Sequence, residues 1–505
     1  MRNACLLVSL VSLAFSVAGE TGFFMVNEDN ELFFTGPSED MTVDGLIKYV
    51  DSWTKNGCIT HYFMCACGQR TNYDSKVWEP IWKGIDEPNA SGRTNNPWCV
   101  NAKLLHDRGI DPYEIWISRC RENGVSPWIS MRMNDVHYVT VENYFRNESF
   151  WRHHPELRRF PMKAVSGGGR WSDFALDYSH EAVRKHALDM VRELLERYDA
   201  DGIELDFMRN PETFAPGRET EGARLLTEFL GTCRQLATAV SARRGHPVSL
   251  AVRLPCVLKI AHAYGFRPET WARNGLVDMF ILSNRFAVRD CNFNFMEWKR
   301  ALTSAGVRVK IVVGTDMQTG CPPDPRHRPD GTLDALRGWC SLYENQADGV
   351  YLFNASYLRP ELKYEIKTGG LSPERLRAGA RRYVVSWHDC GPEGGRRGAQ
   401  LPRSLNKPIR LDVRVVRFAE DRDALLTLVF QGDRPLPERL DVRLNDYNPA
   451  VVSPRETHSL CWTFSAASLK DGVNEIVVIP KDKINSQVVH AEIAIGEKGS
   501  RTCGR

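Results

Sequence analysis

The 505-residue chain lacks most of the features that would tie it to nucleic acid, membrane or metal. Its formal net charge is only +3, and Lys and Arg are scattered, without the basic stripe or charged tail of a nucleic-acid partner. After the first nineteen residues no segment reaches the ~18 apolar residues of a membrane span. Low-complexity tracts are absent. No CxxC pair or His-rich spacing suggests zinc, so neither a metal nor a cofactor is expected. Cysteine is not scarce: fourteen are present, thirteen beyond residue 19, and that odd number cannot all pair. One or two disulfides are expected, with the other thiols acting as small buried hydrophobes. Cys65 and Cys67 in YFMCACG share a strand face and are poorly placed to bridge each other.

What is present begins with MRNACLLVSLVSLAFSVAG, where Arg2 precedes an apolar run that ends in small residues. This is the layout of a cleaved export signal over residues 1–19, and it predicts a periplasmic, cell-surface or extracellular protein. Cys5 lies too early in the run for a lipoprotein cysteine. The triplets headed by Asn89, Asn147 and Asn354 are glycosylation patterns too short to be diagnostic. With 42% hydrophobic residues, the remaining length suits one large domain and one smaller one.

From 20 to 375 short β-rich runs alternate with helical patterns. Eight strands are expected at 22–27, 58–64, 126–131, 202–207, 248–253, 278–283, 308–314 and 349–354. Between them HEAVRKHALDMVRELLERY places Val183, Ala187, Met190, Val191, Leu194 and Tyr198 on one stripe, with Ser179 as the expected N-cap. A second helical pattern stops at Gly245. Eight such units predict a (β/α)8 barrel of the TIM type. Residues 376–407, rich in Gly, Pro and Arg, read as a linker. Runs of period two over 408–505 predict a small β-sandwich, in which SLKDGVNEIVVIP turns into an outer strand.

Barrel enzymes place their reactive groups where strands end, because the loops there form one concave face. In this chain the carboxyl ends are polar and the opposite ends plain. Strand three is followed by Arg132, Asn134, Asp135 and His137; strand four ends in Asp206, then Arg209 and Asn210. Arg253 closes strand five, Asn284 and Arg285 follow strand six, Asp316 follows strand seven and Asn354 ends strand eight. In DGIELDFM, alternation sends Gly202, Glu204 and Asp206 inward and Ile203, Leu205 and Phe207 toward the helices. Asp201, at the strand entrance, reads as a cap or salt-bridge residue. A buried carboxylate needs partners or a raised pKa, so a Glu204–Arg brace competes with a catalytic Glu204. An Asx-turn competes equally for Asp135.

Two carboxylates and little else are what glycosidic bond cleavage requires: one protonates the leaving oxygen, and the other attacks or activates water. Asp206 is the expected nucleophile or base, with Asp316, Glu204 or Asp135 as its partner. YDADGIELDFMR, the preceding ALDYSHEAVRKHALDMVRELLER, SPWISMRMND and ADGVYLFN together resemble the family-ten-like glycosyl hydrolases over about 22–360. That resemblance implies a secreted bacterial (β/α)-barrel enzyme acting on carbohydrate. The same strand is similar to the DGxDxDxE strand of chitinase-type glycosidases through Asp201, Gly202, Glu204 and Asp206. Met208 replaces their proton donor, which excludes that mechanism. It also resembles the DGxxxD strand of alpha-amylase-like barrels, whose last Asp would match Asp206.

Arg132, Asn134, His137, Arg209, Arg253, Asn284, Arg285 and Asn354 are the expected substrate-binding groups; their basic members point to an anionic sugar or else only pair with the carboxylates. Trp171, in SGGGRWSDF within a long 136–178 insertion, is the expected sugar-stacking ring. The expected partner is therefore a poly- or oligosaccharide, with no nucleic acid. Two other classes stay open: a non-catalytic carbohydrate-binding barrel, and a polysaccharide lyase using His137 or a tyrosine as base.

Overall fold

The computed structural model describes residues 22–85, 96–141, 144–163, 170–284, 290–304, 306, 309–317, 332–344, 346–386, 400–418, 422–452 and 458–496. The expected export signal, Asn89, Arg285 and the glycines of SGGGR lie outside the described residues. Eight parallel strands close into one barrel in chain order. They are β1 (Phe23–Glu28), β2 (His61–Cys67), β3 (Ser126–Arg132), β4 (Gly202–Asp206), β5 (Ser249–Pro255), β6 (Met279–Ser283), β7 (Lys310–Asp316) and β8 (Gly349–Phe353). β8 pairs back onto β1, which completes the expected (β/α)8 architecture.

Alternation along each strand divides the apolar residues into two cores. Outward-facing side chains such as Ile203 and Leu205 join the large cluster beneath the helices. Inward-facing Met25, Phe63, Trp128, Ile281, Val312 and Tyr351 belong to a separate cluster inside the barrel. Each fully buried side chain of this size stabilises by about 1.5–3 kcal/mol. Gly202 is part of this packing, since a Cβ there would lie 2.4 Å from the Trp128 indole. The floor therefore closes around Trp128 because β4 opens with a residue that has no side chain.

The helix Glu181–Arg197 buries the expected stripe, including Val183, Ala187, Met190, Val191 and Leu194. Its N-cap is His180, not Ser179, and makes no side-chain capping bond. The Ser179 hydroxyl instead accepts from Arg218 at 2.9 Å. The helix Glu219–Arg244 ends at Gly245, whose φ of 76° is the left-handed conformation that glycine adopts readily.

Two antiparallel sheets follow the barrel. One contains Arg381–Val385, Arg403–Ser404, Asp423–Gly432, Ala450–Val452, Ser459–Ser465 and Ser486–Ile495; the other contains Ile409–Val415, Leu440–Leu444 and Gly472–Pro480. Two expectations change here. The 376–407 stretch holds Arg381–Val385, paired to Ser486–Ile495 in the sheet, rather than linker alone. Gly472–Pro480 is the central strand of its sheet, not an outer one, because it pairs on both sides. Hydrogen bonds tie the segment after β6 to these sheets: Cys291 N–H to the Val384 carbonyl at 3.0 Å, Ser386 N–H to Asp290 at 2.8 Å, and Arg414 N–H to Asn292 at 3.0 Å.

Among the described residues no two cysteines form a disulfide, so the expected bridges are not found there; Cys321, Cys390 and Cys503 lie outside them. Nor is any described helix long and apolar enough to cross a membrane.

Candidate active site

Above the apolar floor the inward positions turn polar. Register sets Arg132, Asp206 and Arg253 side by side across β3, β4 and β5. Arg253 Nη1 lies 3.1 and 3.0 Å from the two Asp206 oxygens, and the N–H groups of Met208 and Arg209 donate to Oδ1 at 2.9 and 3.2 Å. The chain thus curls over the carboxylate as β4 ends, in the manner of an Asx turn. Asp206 is fully buried, and every neighbour bonded to it is a donor. Arg253 is itself held by the Ser283 hydroxyl at 3.1 Å and lies 3.7 Å from the centre of the Phe353 ring.

Glu204 sits one inward position below, in register with Ser130 and Ala251. The Tyr351 hydroxyl donates to its Oε2 at 3.0 Å, while its buried Oε1 has no hydrogen-bond partner. Burial, reinforced by the charge of Asp206 and opposed by Arg253, pushes its pKa up to about 7. Two carboxyl groups on one strand face thus have very different surroundings.

A second network occupies the neighbouring sector. Arg132 bridges Asp29 at 3.4 Å and Asp135 at 3.1 Å. Asp135 accepts from the His137 N–H at 2.9 Å and from His137 Nδ1, while Arg209 Nη2 donates to His137 Nε2. Nε2 can accept only if the proton is on Nδ1, so these two contacts set the tautomer. Burial lowers the His137 pKa to about 4, with Arg209 acting in the same direction and Asp135 opposing. For Asp135 burial works upward, but His137, Arg132 and Arg209 outweigh it and hold the carboxyl well below the usual range. Gly68 permits this approach, since a Cβ there would lie 2.8 Å from Asp135 Oδ2. Burial and the Arg132 charge lower Arg209 to about 10.

Asp316 ends β7 across the barrel, buried and in register with Phe353, and its charge reaches both Arg209 and Arg253. Asn354 follows β8 in the left-handed conformation, with its buried Oδ1 unpartnered. Two other expected binding groups bond neighbouring parts of the chain. The Asn134 amide bonds the backbone of Leu176 and Glu212, and Asn284 bonds the Asp290 carbonyl and the Cys256 thiol. Trp171 stands at the rim and is partly exposed. Arg285 lies outside the described residues.

Three inward groups escaped the sequence reasoning: Asp29, Asn27 and Tyr351. Parity could have found them, since Asn27 and Asp29 continue the inward set of β1, and Tyr351 alternates with Gly349 and Phe353 on β8. Asn27 is buried with neither side-chain polar atom hydrogen-bonded. A narrow cleft lined by Asp29, Cys65, Gly68, Trp98, Arg132 and Asp135 adjoins this sector.

No protein-family profile matches the chain, and no curated protein matches it. Among solved structures it is similar to a cycloisomaltooligosaccharide glucanotransferase from Paenibacillus sp., at 7% identity and a TM-score of 0.36 over 93% of this chain and 57% of that one. A GH36 alpha-galactosidase from Geobacillus stearothermophilus matches at 12% identity and 0.36, over 95% and 56%. A glycoside hydrolase family 18 N-acetylglucosaminidase from Paenibacillus barengoltzii matches at 13% and 0.30, over 58% and 68%. The chain spans little more than half the length of the first two.

Proposed function

We propose that the chain is an exported glycoside hydrolase of the family-ten-like kind, cleaving a poly- or oligosaccharide with two carboxylates. The observation that carries this reading is the unequal pair on β4. Asp206 is surrounded by donors at the carboxyl end of the strand, and Glu204 is kept as an acid directly beneath it. A raised pKa lets a second carboxyl group sit beneath the reactive one without a second buried charge. In the proposal Asp206 is the nucleophile or base, Asp316, facing it from β7, is the acid that protonates the leaving oxygen, and Glu204 is a positioning residue beneath Asp206. Arg253 orients Asp206, and Asp135 with His137 orients Arg209.

Both ring nitrogens of His137 are engaged, which argues against the lyase reading with His137 as base. A non-catalytic carbohydrate-binding barrel is the second reading, favoured by the complete burial of Asp206 against Arg253.

The test is hydrolysis of a panel of glycans and activated aryl glycosides by wild type, Asp206→Asn and Asp316→Asn. Each substitution is expected to lower turnover by about 10²–10⁴-fold. Azide or formate should restore turnover to Asp206→Ala on an activated glycoside if Asp206 is the nucleophile. Wild-type turnover in folded Asp206→Asn sinks the assignment, and no hydrolysis by wild type favours the binder.

A further inference from the structure

The insertion after β3 carries a feature that the carboxylate chemistry does not use. Tyr138 is 45% exposed and Trp171 39% exposed, with ring centroids 5.2 Å apart and planes tilted by 48°. Tyr144 packs against Tyr138 at 4.5 Å. Tyr138 has a φ of 55°, a left-handed backbone that a bulky residue rarely adopts. At this position the ring is exposed to solvent rather than packed in the core.

The base beneath is built separately. Val136, Val139, Trp151 and Phe174 form their own apolar cluster, and Trp151 Nε1 bonds the Phe174 carbonyl at 2.8 Å. The turn holding Trp171 is closed by Asp173, which accepts from the Arg170 N–H at 3.0 Å. Two half-exposed rings on an ordered base resemble a platform more than a frayed loop. The platform also adjoins the mouth: His137 immediately precedes Tyr138, its ring lies 5.8 Å from Trp171, and it bonds Asp135.

We infer that Tyr138 and Trp171 form a stacking subsite for a neutral pyranose ring next to the one held in the mouth, so that the ligand is an uncharged oligosaccharide. A sugar's C–H face and an exposed aromatic face shed water together, which is the term that such rings contribute. Neutrality follows from the mouth. Among its described buried groups four carboxylates (Asp29, Asp135, Asp206, Asp316), with Glu204 as an acid beneath them, face three guanidiniums (Arg132, Arg209, Arg253). Those arginines meet carboxylates or His137, which removes the argument for a uronate or sulfated unit. The inference rests on the glycosidase reading only for where the sugar chain enters.

The experiment is calorimetric titration of the full chain carrying Asp206→Asn, or Asp316→Asn if the first does not fold. The titrants are neutral oligosaccharides of two to six units (gluco-, xylo-, manno- and chito-series) and hexagalacturonate. At least one neutral series should bind, more tightly with length, and Tyr138→Ala and Trp171→Ala should each weaken it about tenfold. Trp171→Phe should recover most of that loss, with the thermal midpoint unchanged in all three. No binding to any neutral series, binding unaltered by both alanine variants, or binding of hexagalacturonate alone would each overturn the subsite. Self-association of wild type that is lost in Trp171→Ala would also overturn it, by showing that a second copy covers the rings. Binding without hydrolysis by wild type would instead sink the glycosidase reading and leave the platform standing.

Discussion

The floor and the mouth of the barrel come from the same eight strands and the same alternation, yet their chemistry is opposite. At the floor of β4, Gly202 makes room for Trp128, and Asp201 stays outside, paired with Arg121 at 2.8 Å and accepting from Ser126 at 2.7 Å. At the mouth of the same strand Asp206 is fully buried against Arg253. Two aspartates five residues apart thus sit in different dielectric worlds. The lesson is that charge in a motif has no fixed meaning until burial assigns it: an exposed pair contributes little, whereas a buried one holds its neighbours in place.

Substitutions can break this contrast. The largest stability loss is expected from Trp128→Ala, about 3–5 kcal/mol in chemical denaturation, because it empties the closed floor. Next is the pH dependence caused by Glu204. Its pKa is raised from 4.5 to about 7 in the folded chain, so the folded state holds a proton that the unfolded state has released. That stabilisation is full below pH 4.5 and is lost as pH rises toward 7, a change of order 3 kcal/mol. Glu204→Gln should flatten this part of the stability profile; an unchanged slope would remove the reason for treating Glu204 as an acid. Gly202→Ala should cost about 1–3 kcal/mol through its clash with Trp128, less than emptying the floor. Asp201→Ala should cost under ~1 kcal/mol, since its partners are solvated. If Asp201→Ala proved as damaging as loss of the Asp206 charge, the contrast between the two ends would fail.

Much of the frame was legible because it depends on periodicity. Each expected barrel strand is present, although β2 begins at His61 rather than 58, and the stripe from Val183 to Leu194 is buried as expected. The 381–385 strand was not legible, because it is defined by pairing to Ser486–Ile495, more than a hundred residues away. The site was legible in position more than in role. Parity sent Glu204 and Asp206 inward, but nothing local distinguishes Asn134, used to tie two loops, from a substrate ligand. His137 likewise reads as a base until Arg209 and Asp135 are seen on its two nitrogens.

By itself, then, the sequence determined the alternation, and with it a closed barrel whose carboxyl ends carry the charge. Those are consequences of side-chain direction along a strand, a local property. Only the tertiary structure decided which charges are matched. Pairing energies and proton affinities depend on what approaches from other strands: Arg253 from β5 onto Asp206, Tyr351 from β8 onto Glu204, and Arg209 onto His137. Desolvation then converts those long-range approaches into one carboxyl group held among donors and another whose pKa is raised to about 7.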